Sequence, residues 1–124
     1  MANKQLLVVD DDDGVRRIIE MCLQSTTNWN VLTAASGEEA LRLAQNEQPD
    51  AILLDVMMPD FNGIETLDRL RTQTSTQDIP VIFLTAKVLE KEKQKLMKLS
   101  IQGLISKPFD VLDLNKEIRC LLNW

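Results

Sequence analysis

Short apolar runs alternate with helix-periodic stretches along the whole chain. Leu6-Leu7-Val8-Val9, Ala51-Ile52-Leu53-Leu54 and Val81-Ile82-Phe83-Leu84 have no polar residue in alternate positions. Each therefore predicts a strand covered on both faces. Trp29–Ala34, WNVLTA, predicts the second strand in chain order, and Leu104-Ile105-Ser106 a short fifth one. Between them the apolar spacing changes to that of helices. Val15, Ile18, Ile19, Cys22 and Leu23 share one helical face, broken by Ser25-Thr26-Thr27-Asn28. Ser36-Gly37-Glu38-Glu39 fits a capping box with Ser36 as N-cap, and its helix, with Ala40, Leu41 and Ala44, stops before Pro49. Ile64, Leu67 and Leu70 mark a helix after Gly63, and Thr72–Asp78 is a polar loop. Lys87–Leu99 is helical but unusually polar, anchored by Leu89, Leu96, Met97 and Leu99, and Val111, Leu114, Ile118, Leu121 and Leu122 form a closing helix.

Five buried strands alternating with five helices predict an α/β fold, a doubly wound parallel sheet, because each parallel pair needs a crossover. Residues 1–124 read as one domain, with no repeat or linker. In such folds ligands bind beyond the carboxyl ends of the strands, where the strand order reverses. For the order 2-1-3-4-5 that point lies between strands one and three. Polar residues gather just past several strand ends: Asp10–Asp13, Asp55, Thr85 and Lys107.

Composition narrows the function further. The 124 residues carry a formal net charge of −5, with 44% hydrophobic and 27% charged residues. This argues against nucleic-acid or membrane binding through a basic surface. No apolar run is long enough to span a bilayer, and the short run before Asp10–Asp13 is no signal peptide, so a cytoplasmic location is expected. Cys22 and Cys120, far apart and with no histidine in the chain, read as free thiols rather than zinc ligands. Cys22 is expected in the core and Cys120 at its edge. Trp29 reads as packing, and Trp124 as either frayed or an anchor for the last helix.

Several carboxylates at one rim repel each other, by roughly 4 kcal/mol for a pair at about 4 Å and an effective dielectric near 20. Either one acid is protonated or a hard cation is bound, and an oxygen-only donor set favours magnesium or manganese. With a hydroxyl from Thr85 and a point charge from Lys107, the set suits phosphoryl transfer to Asp55 as nucleophile, giving an acyl phosphate. Asp12 and Asp13 read as N-cap or first-turn acids, although which pair of the acidic run would bind metal stays open. Asp60 and Asn62 read as turn formers, and the Met57 and Met58 side chains as packing or loop residues.

Val8-Val9-Asp10-Asp11, Leu53 through Gly63 (LLDVMMPDFNG), Leu84-Thr85-Ala86 and Lys107-Pro108-Phe109 together resemble the receiver domain of two-component response regulators, including the chemotaxis type, over essentially the whole chain. The resemblance implies that Asp55 accepts phosphate from a sensor histidine kinase or histidine phosphotransfer protein. It implies Mg²⁺ held by Asp11, Asp55 and the Met57 carbonyl, with Asp10 acting mainly through water. Thr85 and Lys107 would contact the phosphoryl group, and the Lys107–Pro108 bond would be cis. Output would pass to a protein target through the fourth helix, fifth strand and fifth helix, with no direct DNA contact; homodimer formation stays open. Such a switch assists its own phosphorylation without turning over a separate substrate, so no enzyme is expected. No output domain is expected after Trp124. Leu104 stands where the family often has a switch aromatic, which points to a smaller apolar rearrangement. Met57 and Lys87 flank the path of the attacking water, and neither positions water well, so slow self-dephosphorylation is expected. The competing readings are a phosphate-independent binding module, an aspartyl-phosphate phosphatase of the haloacid dehalogenase type, which lacks its second acid at Met57, and a flavodoxin-like carrier, which lacks a phosphate-cradling loop.

Overall fold

The computed structural model describes residues 4–57, 62–86 and 90–124, without the side chain of Glu90. Met58, Pro59, Asp60, Phe61, Lys87, Val88 and Leu89 lie outside the described residues, and with them the expectations for Met58, Asp60, Lys87 and Leu89. The elements run β1 (Gln5–Val9), α1 (Asp13–Thr26), β2 (Asn30–Ala34), α2 (Gly37–Glu47), β3 (Ala51–Asp55), α3 (Gly63–Thr72), β4 (Val81–Ala86), α4 (Glu90–Met97), β5 (Gly103–Lys107) and α5 (Leu114–Leu122). All strand pairs are parallel, in the order β2-β1-β3-β4-β5.

The unbroken apolar runs are explained by the two faces of the sheet. Leu6 and Val8 point into a core shared with Ile19, Cys22 and Leu23 of α1 and Leu114 and Ile118 of α5. Leu7 and Val9, one residue out of phase, point into the opposite core with Ala40 and Ala44 of α2 and Leu67 and Leu70 of α3. A strand buried on both faces has no solvent side on which to place polar residues.

The helices begin where short polar side chains meet free amides. Asp12 caps α1 by accepting from the Gly14 and Val15 amides at 2.8 and 3.1 Å. Ser36 caps α2 by accepting from the Glu39 amide at 3.2 Å, while the Glu39 carboxylate reaches back past it to the Ala35 amide. Asn62, expected as a turn former, caps α3 through the Glu65 amide at 2.9 Å.

Three apolar assignments differ from expectation. Met97, expected to anchor the fourth helix, is 49% exposed, on the side of α4 away from Leu96. Ile18 is 51% exposed, because one residue of α1 turns it about 100° away from Ile19, onto the flank of the helix. Val111 is not in the closing helix. The Asp110 carboxylate accepts from the Leu112 amide and the Asp110 carbonyl from Asp113, so a turn holds residues 110–113 and α5 starts at Leu114. Both cysteines are free, Cys22 buried and Cys120 exposed. Trp124 anchors the C-terminal end: its ring meets Trp29 edge-on at 5.1 Å, with Lys4 over Trp124 and Arg119 over Trp29.

Gly63 matters for the site because α3 starts against the end of β3. A Cβ there would come within 2.8 Å of the Val56 Cα and closer still to the Asp55 carbonyl oxygen. Both obstacles are backbone, which cannot rotate away. We expect Gly63→Ala to lower the urea-unfolding free energy by about 1–3 kcal/mol. Gly14→Ala, whose added Cβ would meet only the Asp12 side chain, at 3.3 Å, should be close to neutral.

Candidate functional site: an acidic rim beyond β1 and β3

Sheet register brings the acids together. Val9 pairs with Leu54, so Asp10 leaves β1 beside the point where Asp55 ends β3. Asp55 lies level with Leu84, so Thr85 stands one residue further along β4, and Thr85 is level with Ser106, one residue before Lys107. Asp10 is fully buried, and Asp55 and Thr85 are each 3% exposed. Asp11 is exposed at the mouth.

Each buried carboxylate has specific partners. Lys107 Nζ donates to Asp10 Oδ2 at 2.9 Å and lies 3.4 Å from Asp55 Oδ2. The Asp12 amide donates to Asp10 Oδ1 at 2.9 Å, and the Met57 amide to Asp55 Oδ1 at 3.1 Å. Arg16, which also pairs with Asp13, donates to the Asp10 carbonyl at 2.8 Å. The Thr85 hydroxyl donates to the Ala86 carbonyl at 3.2 Å, and none of its described hydrogen bonds reaches Asp55. Met57 is tied in by its amide while its side chain is 71% exposed, a loop residue and not a packing one. The Lys107–Pro108 peptide bond is cis.

The electrostatics decide between the two ways of offsetting the repulsion. Burial and the facing Asp10 raise the Asp55 carboxyl from 3.8 to about 6, against the charge of Lys107 and the Met57 amide. Protonation therefore offsets the repulsion only in acid. Burial by itself would lower Lys107, but its hydrogen bond to Asp10 and the charges of Asp55 and Asp10 outweigh this and raise its ammonium above the ordinary 10.5. Asp10, Asp11 and Asp55 each bring a carboxylate oxygen to within 4.8 Å of the others. Three carboxylates less one ammonium leave two negative charges, matched by one divalent cation. The hard oxygen donors fit magnesium.

Fold and rim together define a class: a doubly wound α/β protein with an oxygen-only acidic site at its topological switch point. The response regulator receiver domain model matches residues 6–119, and the chain belongs to that family. It is a receiver domain of two-component signalling, and a phosphoacceptor role is consistent with the family. It is 38% identical over 120 residues to the alkaline phosphatase synthesis transcriptional regulatory protein PhoP of Bacillus subtilis, covering 97% of this chain and 49% of that protein. The chain thus spans about half the length of the curated relatives it matches. Among solved structures, the chemotaxis response regulator CheY4 of Vibrio cholerae superposes with a TM-score of 0.88 at 32% identity, covering 97% of this chain and 99% of that one. The receiver domain of sensor histidine kinase PA1611 from Pseudomonas aeruginosa, solved with a magnesium ion in its active-site cleft, superposes with a TM-score of 0.85 at 27% identity, covering 99% and 100%. Among the described residues no helix is long and apolar enough to cross a membrane.

Arg16 and Gly63 complete the site without having been assigned to it from sequence. Arg16 belongs to no motif, and its contact is visible only once α1 packs beside β1. Gly63 stands just before the helix marked by Ile64, and the strand end against which it packs is not visible in one dimension.

The raised Asp55 carboxyl has a stability consequence. Between about pH 4 and pH 6 the folded state keeps a proton that the unfolded chain releases. The group is neutral in effect below that window and destabilising above it, by about 2–3 kcal/mol. Lys107 stays charged throughout, since its contribution is lost only above its raised value. Without divalent cation, wild type should lose about that much stability relative to Asp55→Asn between pH 4 and pH 7, measured by urea unfolding. Magnesium should restore it in wild type. A constant wild-type-to-Asn difference across this range would contradict the assignment.

Proposed function

We propose that residues 1–124 act as one receiver domain, a switch phosphorylated on Asp55. The observation that carries this reading is the Asp55 carboxylate, nearly buried yet aimed at the strand-end rim, with one oxygen on the Met57 amide and the other beside the Lys107 ammonium. An Asp55 oxygen attacks the phosphorus of a phosphohistidine or a small acyl phosphate. The bond from phosphorus to the donor breaks and its electron pair leaves with the donor. Lys107 holds charge beside the incoming oxygens, and the Thr85 hydroxyl turns from the Ala86 carbonyl to donate to the phosphoryl group. Asp10, Asp11, Asp55 and the Met57 carbonyl would hold Mg²⁺, with Asp10 acting chiefly through water and Lys107; the cation supplies charge neutralisation during transfer. No separate substrate is turned over, so the protein is a switch and not an enzyme in the usual sense.

The partners on this reading are a sensor histidine kinase or phosphotransfer protein and a downstream protein target, in the cytoplasm. Ile18 and Val111 are exposed, and with Val15, Pro108 and Phe109 they border Lys107. That apolar rim suits a donor protein bringing its phosphohistidine to Asp55. Output would pass through α4, β5 and α5. Leu104 is half-buried on the face that carries Leu96, Leu99 and Ile101, which supports a modest apolar adjustment.

Acetyl phosphate with Mg²⁺ should add one phosphate by intact mass to wild type and none to Asp55→Ala. No adduct on wild type with proven metal binding would defeat the reading. Ile18→Glu should slow transfer from a protein donor roughly tenfold while leaving acetyl phosphate labelling unchanged. With Met57 exposed at the mouth, the phosphorylated form should persist for minutes or longer, and decay within seconds would contradict the expected slow self-dephosphorylation.

A further inference from the structure

The loop that leaves β1 is gripped by a side chain of the helix that follows it. Arg16 lies near the start of α1, and side chains on a helix lean back toward its N-terminus. Its guanidinium therefore reaches back over the helix start. Nη1 donates to the Asp10 carbonyl at 2.8 Å, and Nη2 pairs with Oδ1 of Asp13. The two contacts fall on either side of Asp11 in the chain. The Arg16 side chain is 19% exposed and that of Asp13 88%, so the guanidinium is seated against the protein while its ion partner faces water.

Asp11 depends on such a hold more than its neighbours do. Asp10 is fixed through its own carboxylate, by the Asp12 amide and Lys107, and Asp55 by the Met57 amide and Lys107. Asp11 is exposed, and among the described residues no hydrogen bond reaches its carboxylate. Its place within 4.8 Å of the other two acids therefore rests on the backbone. Before Asp11, that backbone is held by the Asp10 amide, which donates to the Ala34 carbonyl at 3.2 Å, and by Arg16 on the Asp10 carbonyl. After it, Asp12 caps α1 and Asp13 meets Arg16. A ligand already in place needs no ordering when the cation arrives. A planar guanidinium spans a carbonyl and a carboxylate at once, which the compact ammonium of a lysine does not.

We infer that Arg16 is a positioning residue for the cation: it clamps the chain on both sides of Asp11 and so holds that carboxylate toward Asp10 and Asp55. The inference rests on the reading that these three acids hold a divalent cation, and deepens it. Asp13 balances the guanidinium, so the clamp adds no net charge beside the cation. Charge and position make opposite demands here. If Arg16 acted through its charge alone, removing it would tighten cation binding. Acting through position, its removal weakens binding.

Titration of the full chain with Mn²⁺, reading the free ion by electron paramagnetic resonance and using Mg²⁺ as competitor, tests it. Arg16→Gln should weaken Mn²⁺ binding roughly tenfold. The loss relative to wild type should persist at high salt, which screens charge and leaves geometry alone. Arg17→Gln removes the same charge from the exposed neighbouring position and should bind at least as tightly as wild type. Arg16→Lys restores the charge but only one contact at a time. It should fall between Arg16→Gln and wild type, and it carries the comparison if the Gln variant does not fold. Urea unfolding without metal separates a merely structural role, which would lower stability and leave the affinity of the folded protein unchanged. Mn²⁺ affinity equal to or tighter than wild type in either Arg16 variant would overturn the clamp. Asp11→Asn in the same titration decides the underlying reading. Wild-type affinity there counts against a cation held by the three acids, while loss of binding in Asp11→Asn with none in Arg16→Gln defeats the clamp alone.

Discussion

Two carboxylates, Asp10 and Asp55, are buried side by side at the ends of neighbouring strands, and a single ammonium from Lys107 reaches both. Everything near the rim relates to this arrangement. The strands must be parallel and in register for the acids to face each other. The Asp12 and Met57 amides, together with Lys107, occupy oxygens that would otherwise be buried without partners. Even so, one ammonium does not balance three acids, and the remaining charge makes the site responsive to protons, cations and added phosphate.

A costly site of this kind needs a stiff support. β1, β3 and β4 provide it, with side chains buried on both faces across two cores. Gly63 permits α3 to start directly against the end of β3, where its amide donates to the Val56 carbonyl at 3.0 Å. At the β5 side the packing thins. Among the described residues the fourth helix presents mostly charged side chains to water, and beyond it Leu99 and Ile101 pack on the core.

Much of this was legible in one dimension because burial on both faces removes the polar residues from a strand. The runs around Leu6, Ile52 and Ile82 stand out for that reason, and the polar residues immediately after them mark the rim. The edges were harder to read. Ile18 belongs to the apolar spacing of α1 yet faces solvent, since periodicity locates a face only to within one residue. Val111 fits the spacing of α5, but the Asp110 carboxylate and carbonyl hold it in a turn.

The sequence by itself determined the alternation of elements, the fold class and the residue types at the strand ends, because hydrophobic period and turn chemistry are local. Tertiary structure decided which of those residues meet. Register set Asp10 opposite Asp55, the reach of Lys107 bound it to both, and the fold of the acidic run divided it into Asp10 and Asp11 at the rim and Asp12 as a helix cap. The reason is that charge and hydrogen bonding act over a few ångströms, and distances of that size between residues far apart in the chain exist only after the sheet has closed.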